Sequence, residues 1–143
     1  MTTETAEDIL LRLLYATRLE HFGGNRTRFI PCFHLPQTVE TFAGAQRLET
    51  PEDVGRLHDE LCHHFMLRGA TDLVRRPVAA EFRSEDVIHA THEARLLQGT
   101  TQLQDPYVAF SVLRRGPQGW QVADSSYAIV DSEEHAALLA GRG

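Results

Sequence analysis

Two histidines three residues apart, His89 and His92, stand in the apolar stretch VIHATHEARLL at residues 87–97. Imidazole is the side chain best suited to acid/base chemistry near neutral pH, and it is a common metal ligand. If this stretch is a strand, its side chains alternate between two faces, so the two histidines point in opposite directions and cannot chelate one metal ion. The alternation predicts that His92 faces inward with the apolar residues and that His89 faces solvent.

A carboxylate could complete an acid/base pair with His92. In the stretch 120–130, strand alternation places Asp124 on the apolar face that also carries Trp120. A carboxylate buried on that face needs a hydrogen-bonding partner, because burying it alone is costly. His92 and Arg76 are the predicted partners, and an inward His–Asp pair could serve as general acid and base. The alternative, that these groups only satisfy one another and a few water molecules at a sheet surface or dimer interface, stays open.

Other residue patterns exclude several chemistries. His58, His63 and His64 lie on a predicted helix at spacings of five and one, and the HExxH pattern is absent, so no metal site is predicted. All 14 basic residues are arginine, which excludes Schiff-base chemistry and the P-loop lysine. The GxSxG, P-loop and GxGxxG patterns are also absent, so the common hydrolase, phosphate-binding and dinucleotide-binding functions lack support, and we expect no cofactor.

Length and composition limit the number of domains, the partners and the location that we expect. At 143 residues and 42% hydrophobic, the chain is the right size for a single domain over residues 1–143. A net charge of −6 argues against nucleic-acid binding, and no apolar run approaches the roughly 20 residues that span a bilayer. Because the N-terminus is acidic, unlike that of a signal peptide, we expect a cytoplasmic protein with no membrane partner.

Cys32 and Cys62 lack zinc-site spacing and are predicted to be buried free thiols.

Three helices are predicted from their start signals. Thr5 and Asp8 form a capping-box pattern that begins a first helix, which continues to Phe22. Thr50, Pro51 and Asp53 begin a second helix that ends at Gly69. The second helix carries one apolar stripe of Val54, Leu57, Leu61 and Phe65. A short last helix is predicted around 132–139.

The remaining segments are predicted strands. Residues 28–42 are interrupted by Pro31 and Pro36, which restricts them to an edge strand or a broken strand, and residues 44–50 can pair back as a hairpin. A four-stranded antiparallel meander is predicted over 72–83, 87–97, 107–115 and 120–130. Helices then strands indicate an α+β fold with the helices on one face of a curved sheet.

The third strand of this meander is apolar on both faces. One face carries Tyr107, Ala109 and Leu113. The other carries Val108, Phe110 and Val112. We expect one face to meet the helices and the other to meet a second subunit.

This order of elements resembles the nuclear transport factor 2-like superfamily, which includes SnoaL-like and ketosteroid isomerase-like proteins. The resemblance is carried by FHLP at 33–36 followed by TVET, by TPED at 50–53, and by the hairpin YVAFSVLRR and GWQVADSSY. It implies a cone in which a curved, mostly antiparallel sheet wraps around the N-terminal helices. It further implies a pocket between the sheet and the helices, and a homodimer formed through the sheet face.

The resemblance also implies functional residues. Catalytic members place a tyrosine on the first helix, and Tyr15 fits that position. The acidic residue that isomerase-like members carry near the first strand is absent here, and His34 lies in the corresponding hydrophobic segment. The predicted pocket residues are Tyr15, His34, Arg76, His92, Trp120 and Asp124. The first hypothesis is a domain that binds a small apolar or carbonyl-containing ligand without a cofactor. The alternatives are an isomerase, cyclase or hydratase in which His92 and Asp124 are the acid/base pair and Tyr15 a hydrogen-bond donor, and a protein-interaction module.

Overall fold

Our computed structural model describes residues 4–23 and 26–142, with side chains described for 4–18 and 26–142. The helices are α1 (Ala6–Gly23), α2 (Arg26–Phe29), a 3-10 helix (Ile30–Cys32), α3 (Pro51–Leu67) and α4 (Glu133–Leu139). The strands are β1 (Gln37–Thr41), β2 (Gly44–Leu48), β3 (Asp72–Ser84), β4 (Val87–Gln98), β5 (Thr101–Gln102), β6 (Tyr107–Gly116) and β7 (Gly119–Tyr127).

The strands form one curved mixed sheet in the order β2-β1-β7-β6-β4-β3, with the short β5 paired to β4. Strands β3, β4, β6 and β7 pair with antiparallel neighbours, which confirms the predicted meander. The hairpin of β1 and β2 extends this sheet because β1 pairs in parallel with β7. The α+β fold class is therefore confirmed, with a larger sheet than the meander alone.

The helices begin where their capping residues predict. In front of α1, the Thr5 hydroxyl accepts from the backbone N–H of Asp8 at 3.0 Å, and the Asp8 carboxylate accepts from the Thr5 N–H at 3.2 Å. Thr50 and Asp53 form the same reciprocal pair at the start of α3. These bonds satisfy N–H groups that have no partner within the helix. In the part of the chain that the structure describes, no helix has the length and apolar character of a membrane span.

The helices cover one face of the sheet, here called the inner face. Helix α1 buries Ile9 and Leu10 against Ile88 and Leu113 of the sheet. The predicted stripe of α3 packs into a second cluster with residues of β3, β4 and α4: Val54, Leu57, Leu61, Phe65, Leu73, Leu96 and Leu139. Burying this apolar area is the main favourable term in folding. On β6, burial alternates as the sequence predicts, so Tyr107, Ala109 and Leu113 face inward.

The segment 28–42 differs from its prediction. Residues 26–32 are helical, and the strand begins only at Gln37. Pro31 lies in the first turn of the 3-10 helix, where its missing N–H costs no hydrogen bond. Strand β1 lies between β2 and β7, so the edge position that the prolines predicted belongs to β2.

Of the interruptions in strand pairing, the one at Val78 and the one at Ala123 decide which side chains near the helices face inward. On β3, Pro77 pairs with His92 and Ala79 with Thr91, so Val78 is an extra residue in a bulge. On β7, Asp124 pairs with Val112 and Val122 with Leu113, so Ala123 is the extra residue. An extra residue shifts the in–out alternation of side chains by one. A residue beyond the bulge therefore lies on the opposite face from the one that regular alternation across the bulge would predict.

Candidate functional site

A cavity of about 70 Å³ lies between the inner face of the sheet and the helices. Its apolar walls come mainly from α1, α3 and the sheet: Leu10, Leu13, Leu14, Val54, Leu57, Leu61, Phe65, Leu73 and Leu113 are among them. Polar side chains also reach it: Thr17, Gln37, Arg75, His92, Tyr107, Ser111, Ser125, Tyr127 and His135. An apolar cavity with a few convergent polar groups is the usual form of a small-molecule site.

Arg75, a partly buried residue, brings a positive charge to this cavity. Its Nη2 donates to the Leu14 carbonyl at 2.7 Å and to the Thr17 hydroxyl at 2.6 Å, which ties the guanidinium to α1. Its Nε is buried without a hydrogen-bond partner. Burial lowers the pKa of Arg75, yet an arginine stays protonated at neutral pH. Of the carboxylates that the structure describes, none forms an ion pair with Arg75.

His92 lies next to Arg75 on the inner face. Arg75 pairs with Ala94 and Pro77 with His92, so the two polar side chains are diagonal neighbours across β3 and β4. The imidazole is 3% exposed, and neither of its nitrogens has a hydrogen-bond partner. Burial, and secondly the charge of Arg75, lower the pKa of His92 to about 3. The side chain is therefore neutral, with an unused donor and an unused acceptor.

Further unpartnered polar atoms face the same space. Ser111 and Ser125 are register partners on β6 and β7, and the Ser125 hydroxyl is buried without a partner. The Gln37 amide nitrogen donates to the carbonyls of His34 and Val122 at 2.9 Å, but its oxygen has no partner. Buried polar groups are normally satisfied, so this concentration of unsatisfied ones requires an explanation.

The far wall of the cavity carries two more titratable groups. Burial lowers the pKa of His135 to about 3, and its Nδ1 lies 3.1 Å from the amide nitrogen of Gln104. Burial likewise raises the pKa of Tyr107, whose ring stacks edge-on against His135 at 5.6 Å. Both side chains are neutral at physiological pH, which leaves Arg75 as the formal charge among the described residues that line the cavity.

The predicted inward position of Asp124 is wrong. Asp124 is exposed on the outer face, where its carboxylate accepts from the Thr38 N–H at 2.9 Å. The bulge at Ala123 shifts the alternation, so that Ser125 faces inward and Asp124 outward. Since His92 is on the inner face, the predicted acid/base pair of His92 and Asp124 does not form.

The predicted inward position of Arg76 is wrong for the same reason. The prediction placed Arg76 on one face with Val74, Val78, Ala80 and Phe82, and the bulge at Val78 moves Arg76 to the face opposite Ala80 and Phe82. Arg76 has a side chain that is 70% exposed, with its guanidinium 3.6 Å from Glu93 on the outer face. Its neighbour Arg75 takes the inner position. Pro77 was a usable signal, because prolines within sheets concentrate at bulges and edge strands.

Tyr15, predicted for the pocket, points away from it. Helix α1 buries the face of Ile9, Leu10 and Leu13, whereas Tyr15 lies on the face of Leu11 and is 64% exposed. Apolar residues lie almost all round this helix, so only packing against the sheet decides which face is buried.

His34 and Trp120 are partly buried but do not line the cavity. The backbone N–H of His34 donates to the Val122 carbonyl at 2.8 Å. Trp120 packs against Phe82 with ring centroids 6.0 Å apart, and the Arg115 guanidinium lies 5.7 Å from its ring. Of the six residues predicted for the pocket, His92 is therefore the one that the structure places there.

Metal binding has no support from geometry within residues 4–23 and 26–142. No group of three histidine, cysteine, aspartate or glutamate side chains is placed to hold a metal ion among these described residues. His64 is buried on α3 and His63 is exposed, so the two adjacent side chains diverge. Cys32 and Cys62 are half-buried thiols, less buried than predicted.

Comparisons with known proteins address the fold. No protein-family model and no curated protein matches the sequence. A domain of unknown function with a cystatin-like fold from Nostoc punctiforme superposes with a TM-score of 0.72 at 17% identity, covering 94% of this chain and 83% of that chain. An NTF-2 like protein of unknown function from Shewanella oneidensis superposes with a TM-score of 0.63 at 8% identity, covering 85% of this chain and 97% of that chain. A ketosteroid isomerase-like protein from Erwinia carotovora atroseptica superposes with a TM-score of 0.61 at 13% identity, covering 89% of this chain and 95% of that chain. The chain therefore has the cystatin-like α+β fold of the nuclear transport factor 2-like proteins, a curved sheet wrapped around helices.

Proposed function

We propose that residues 1–143 act as a single domain that binds a small organic ligand in the inner cavity. The observation that supports this most strongly is the set of unsatisfied polar atoms on Arg75, His92 and Ser125, all facing one apolar space. Leaving such groups buried without partners costs free energy, which hydrogen bonds to a bound ligand would recover.

Binding fits the cavity better than proton transfer does. None of the described residues that line the cavity is a carboxylate. His92, with its pKa lowered to about 3, is a weak base at neutral pH, whereas a general base works best with a pKa near the operating pH. The ketosteroid isomerase-like protein among the structural neighbours is similar to this chain in fold only.

Two matched serine variants test this proposal. Ser125→Leu places a leucine in the cavity, and Ser126→Leu places one on the outer face of the same strand. Purified protein is titrated with alcohols, ketones, amides and carboxylates of a few heavy atoms, followed by 1H–15N chemical shifts and by native mass spectrometry. We expect wild type and Ser126→Leu to bind the same compounds and Ser125→Leu to lose them.

The proposal fails if no compound shifts the cavity residues, or if Ser125→Leu binds as wild type does. Because overpacking a core destabilises it, the smaller Ser125→Val is measured in parallel to separate lost binding from lost folding.

We also propose that the outer face of the sheet pairs with a second copy of this chain. Val78, Val108 and Phe110 are exposed there. Clustered apolar side chains on a sheet face favour association, because water is released when they are covered. The same surface could accept a different protein, and a chain that is monomeric in light scattering would favour that interaction module instead.

A further inference from the structure

We propose that the ligand of the inner cavity is a small organic monocarboxylate, with Arg75 as its anchor and His92 and Ser125 as hydrogen-bonding partners. This inference rests on the proposed function and specifies its ligand class.

The charge of Arg75 carries the first step. An arginine buried without a counter-ion is strongly unfavourable, and folded proteins normally pair it. In this cavity the described lining residues offer no carboxylate, and His92 and His135 are neutral. A bound anion would supply the missing negative charge. By contrast, the outer-face Arg76 has Glu93 within 3.6 Å and needs no ligand.

The hydrogen-bonding groups carry the second step. Arg75 Nε has a proton and no acceptor, His92 has an N–H and no acceptor, and the Ser125 hydroxyl is unpartnered. A carboxylate has two oxygens with several acceptor positions, so it can accept from an arginine and a second donor at once. A neutral amide or alcohol would fill these donors but leave the guanidinium charge uncompensated.

The volume of the cavity and the positive charge of Arg75 narrow the class of ligand. One water needs roughly 10–15 Å³ of such a cavity, so about 70 Å³ admits on the order of six heavy atoms. The apolar walls favour a short hydrocarbon body behind the carboxylate. A phosphate carries up to two charges and would meet one formal cation among the described lining residues, so a monocarboxylate matches the charge better.

The experiment compares two ligands of the same shape that differ in charge. Wild type is titrated with sodium butyrate and with butyramide at constant ionic strength, followed by calorimetry and by chemical shifts of cavity residues. We expect butyrate to bind at least about 30-fold more tightly than butyramide, since losing one partner of a buried charge pair costs about 2 kcal/mol or more.

Matched arginine variants locate the contact. Arg75→Met should weaken butyrate binding by at least about 30-fold, Arg75→Lys should keep part of it, and the outer-face Arg76→Met should stay within about twofold of wild type. Arg75→Met should also raise the melting temperature of the ligand-free protein, because it removes an uncompensated charge from a partly buried position. A purely structural role for Arg75 predicts the opposite shift.

The outcomes separate the two proposals. If butyramide binds as tightly as butyrate and Ser125→Leu abolishes both, the cavity binds ligands but the carboxylate inference is wrong. If chloride or inorganic phosphate competes with butyrate at equal concentration, the site holds an adventitious ion only and the inference is likewise overturned. If neither butyrate nor butyramide binds, the carboxylate inference is overturned, and if no compound of the wider series shifts the cavity residues either, the proposed function fails as well.

Discussion

Residues of the same type differ in exposure and in hydrogen-bonding partners between the two faces of the sheet. Arg76, on the outer side, is exposed and near Glu93, whereas the adjacent Arg75, on the inner side, is partly buried without an ion pair to any described carboxylate. Ser126 faces outward and Ser125 inward in the same way. Outer-face charges are solvated and contribute little. Inner-face polar groups lose hydration, so their unsatisfied atoms indicate where a ligand belongs.

The largest expected difference between the two sides concerns packing. Leu10 is 1% exposed toward the sheet and Leu11 is 45% exposed on the opposite side of α1. Leu10→Ala should lower the free energy of unfolding by about 2–5 kcal/mol, because it leaves a hole in the core. Leu11→Ala should change it by less than about 1 kcal/mol. Urea denaturation of both variants measures this, and equal losses would contradict the assigned inner side of α1.

Acid should weaken the inner side through its histidines. His92 and His135 have folded-state pKa values of about 3, below the unfolded value of about 6.5. As pH falls below 6.5 the unfolded chain takes up protons that the folded protein does not, so stability is lost between pH 6.5 and pH 3. Well below pH 6.5 each histidine contributes about 1.4 kcal/mol per pH unit.

Urea midpoints measured from pH 7 to pH 4.5 test this loss. His92→Leu should make the slope shallower, since one of the three histidines with a lowered pKa, His64, His92 and His135, no longer titrates. His89→Leu changes an exposed histidine of the same strand and should leave the slope unchanged. A slope that is equal in all three proteins would show that His92 is not buried in the neutral form.

Side chains on the outer face should control the formation of the proposed dimer. Phe110→Glu puts a carboxylate into the proposed dimer surface and should weaken a dimer at least about tenfold, the equivalent of about 1.4 kcal/mol. Phe42→Glu, in the exposed turn between β1 and β2, is the control. Light scattering over a concentration series measures both, and a Phe110→Glu variant that dimerises as wild type does would rule out this surface.

The smallest effect is expected at the outer arginine. Arg76→Met removes an exposed ion pair with Glu93 and should alter the free energy of unfolding by no more than about 0.5 kcal/mol. Thermal unfolding of this variant beside Arg75→Met sharpens the comparison, because the two substitutions are chemically identical. A large loss at Arg76 would indicate that an assembly covers this arginine as well as the apolar side chains of Val78, Val108 and Phe110.

Much of the fold could be predicted because its signals are local. The capping pairs at Thr5 and Thr50, the apolar stripe of α3 and the alternation on β6 each depend on neighbouring residues alone. The site could be predicted only in part, since His92 lies on an uninterrupted strand, whereas Arg75 and Ser125 lie beyond bulges. A bulge at Ala123 has no sequence signal that we recognise, and its effect reaches every residue after it.

Apart from the helical residues at 28–32, the sequence by itself determined the order of the main elements, the α+β class and the inward position of His92, because periodicity and capping act over a few residues. The tertiary structure decided which arginine and which serine reach the cavity, which side of α1 is buried, and that Asp124 does not meet His92. The physical reason is that strand pairing between distant segments placed the extra residues at Val78 and Ala123, and each extra residue reverses the faces counted across it.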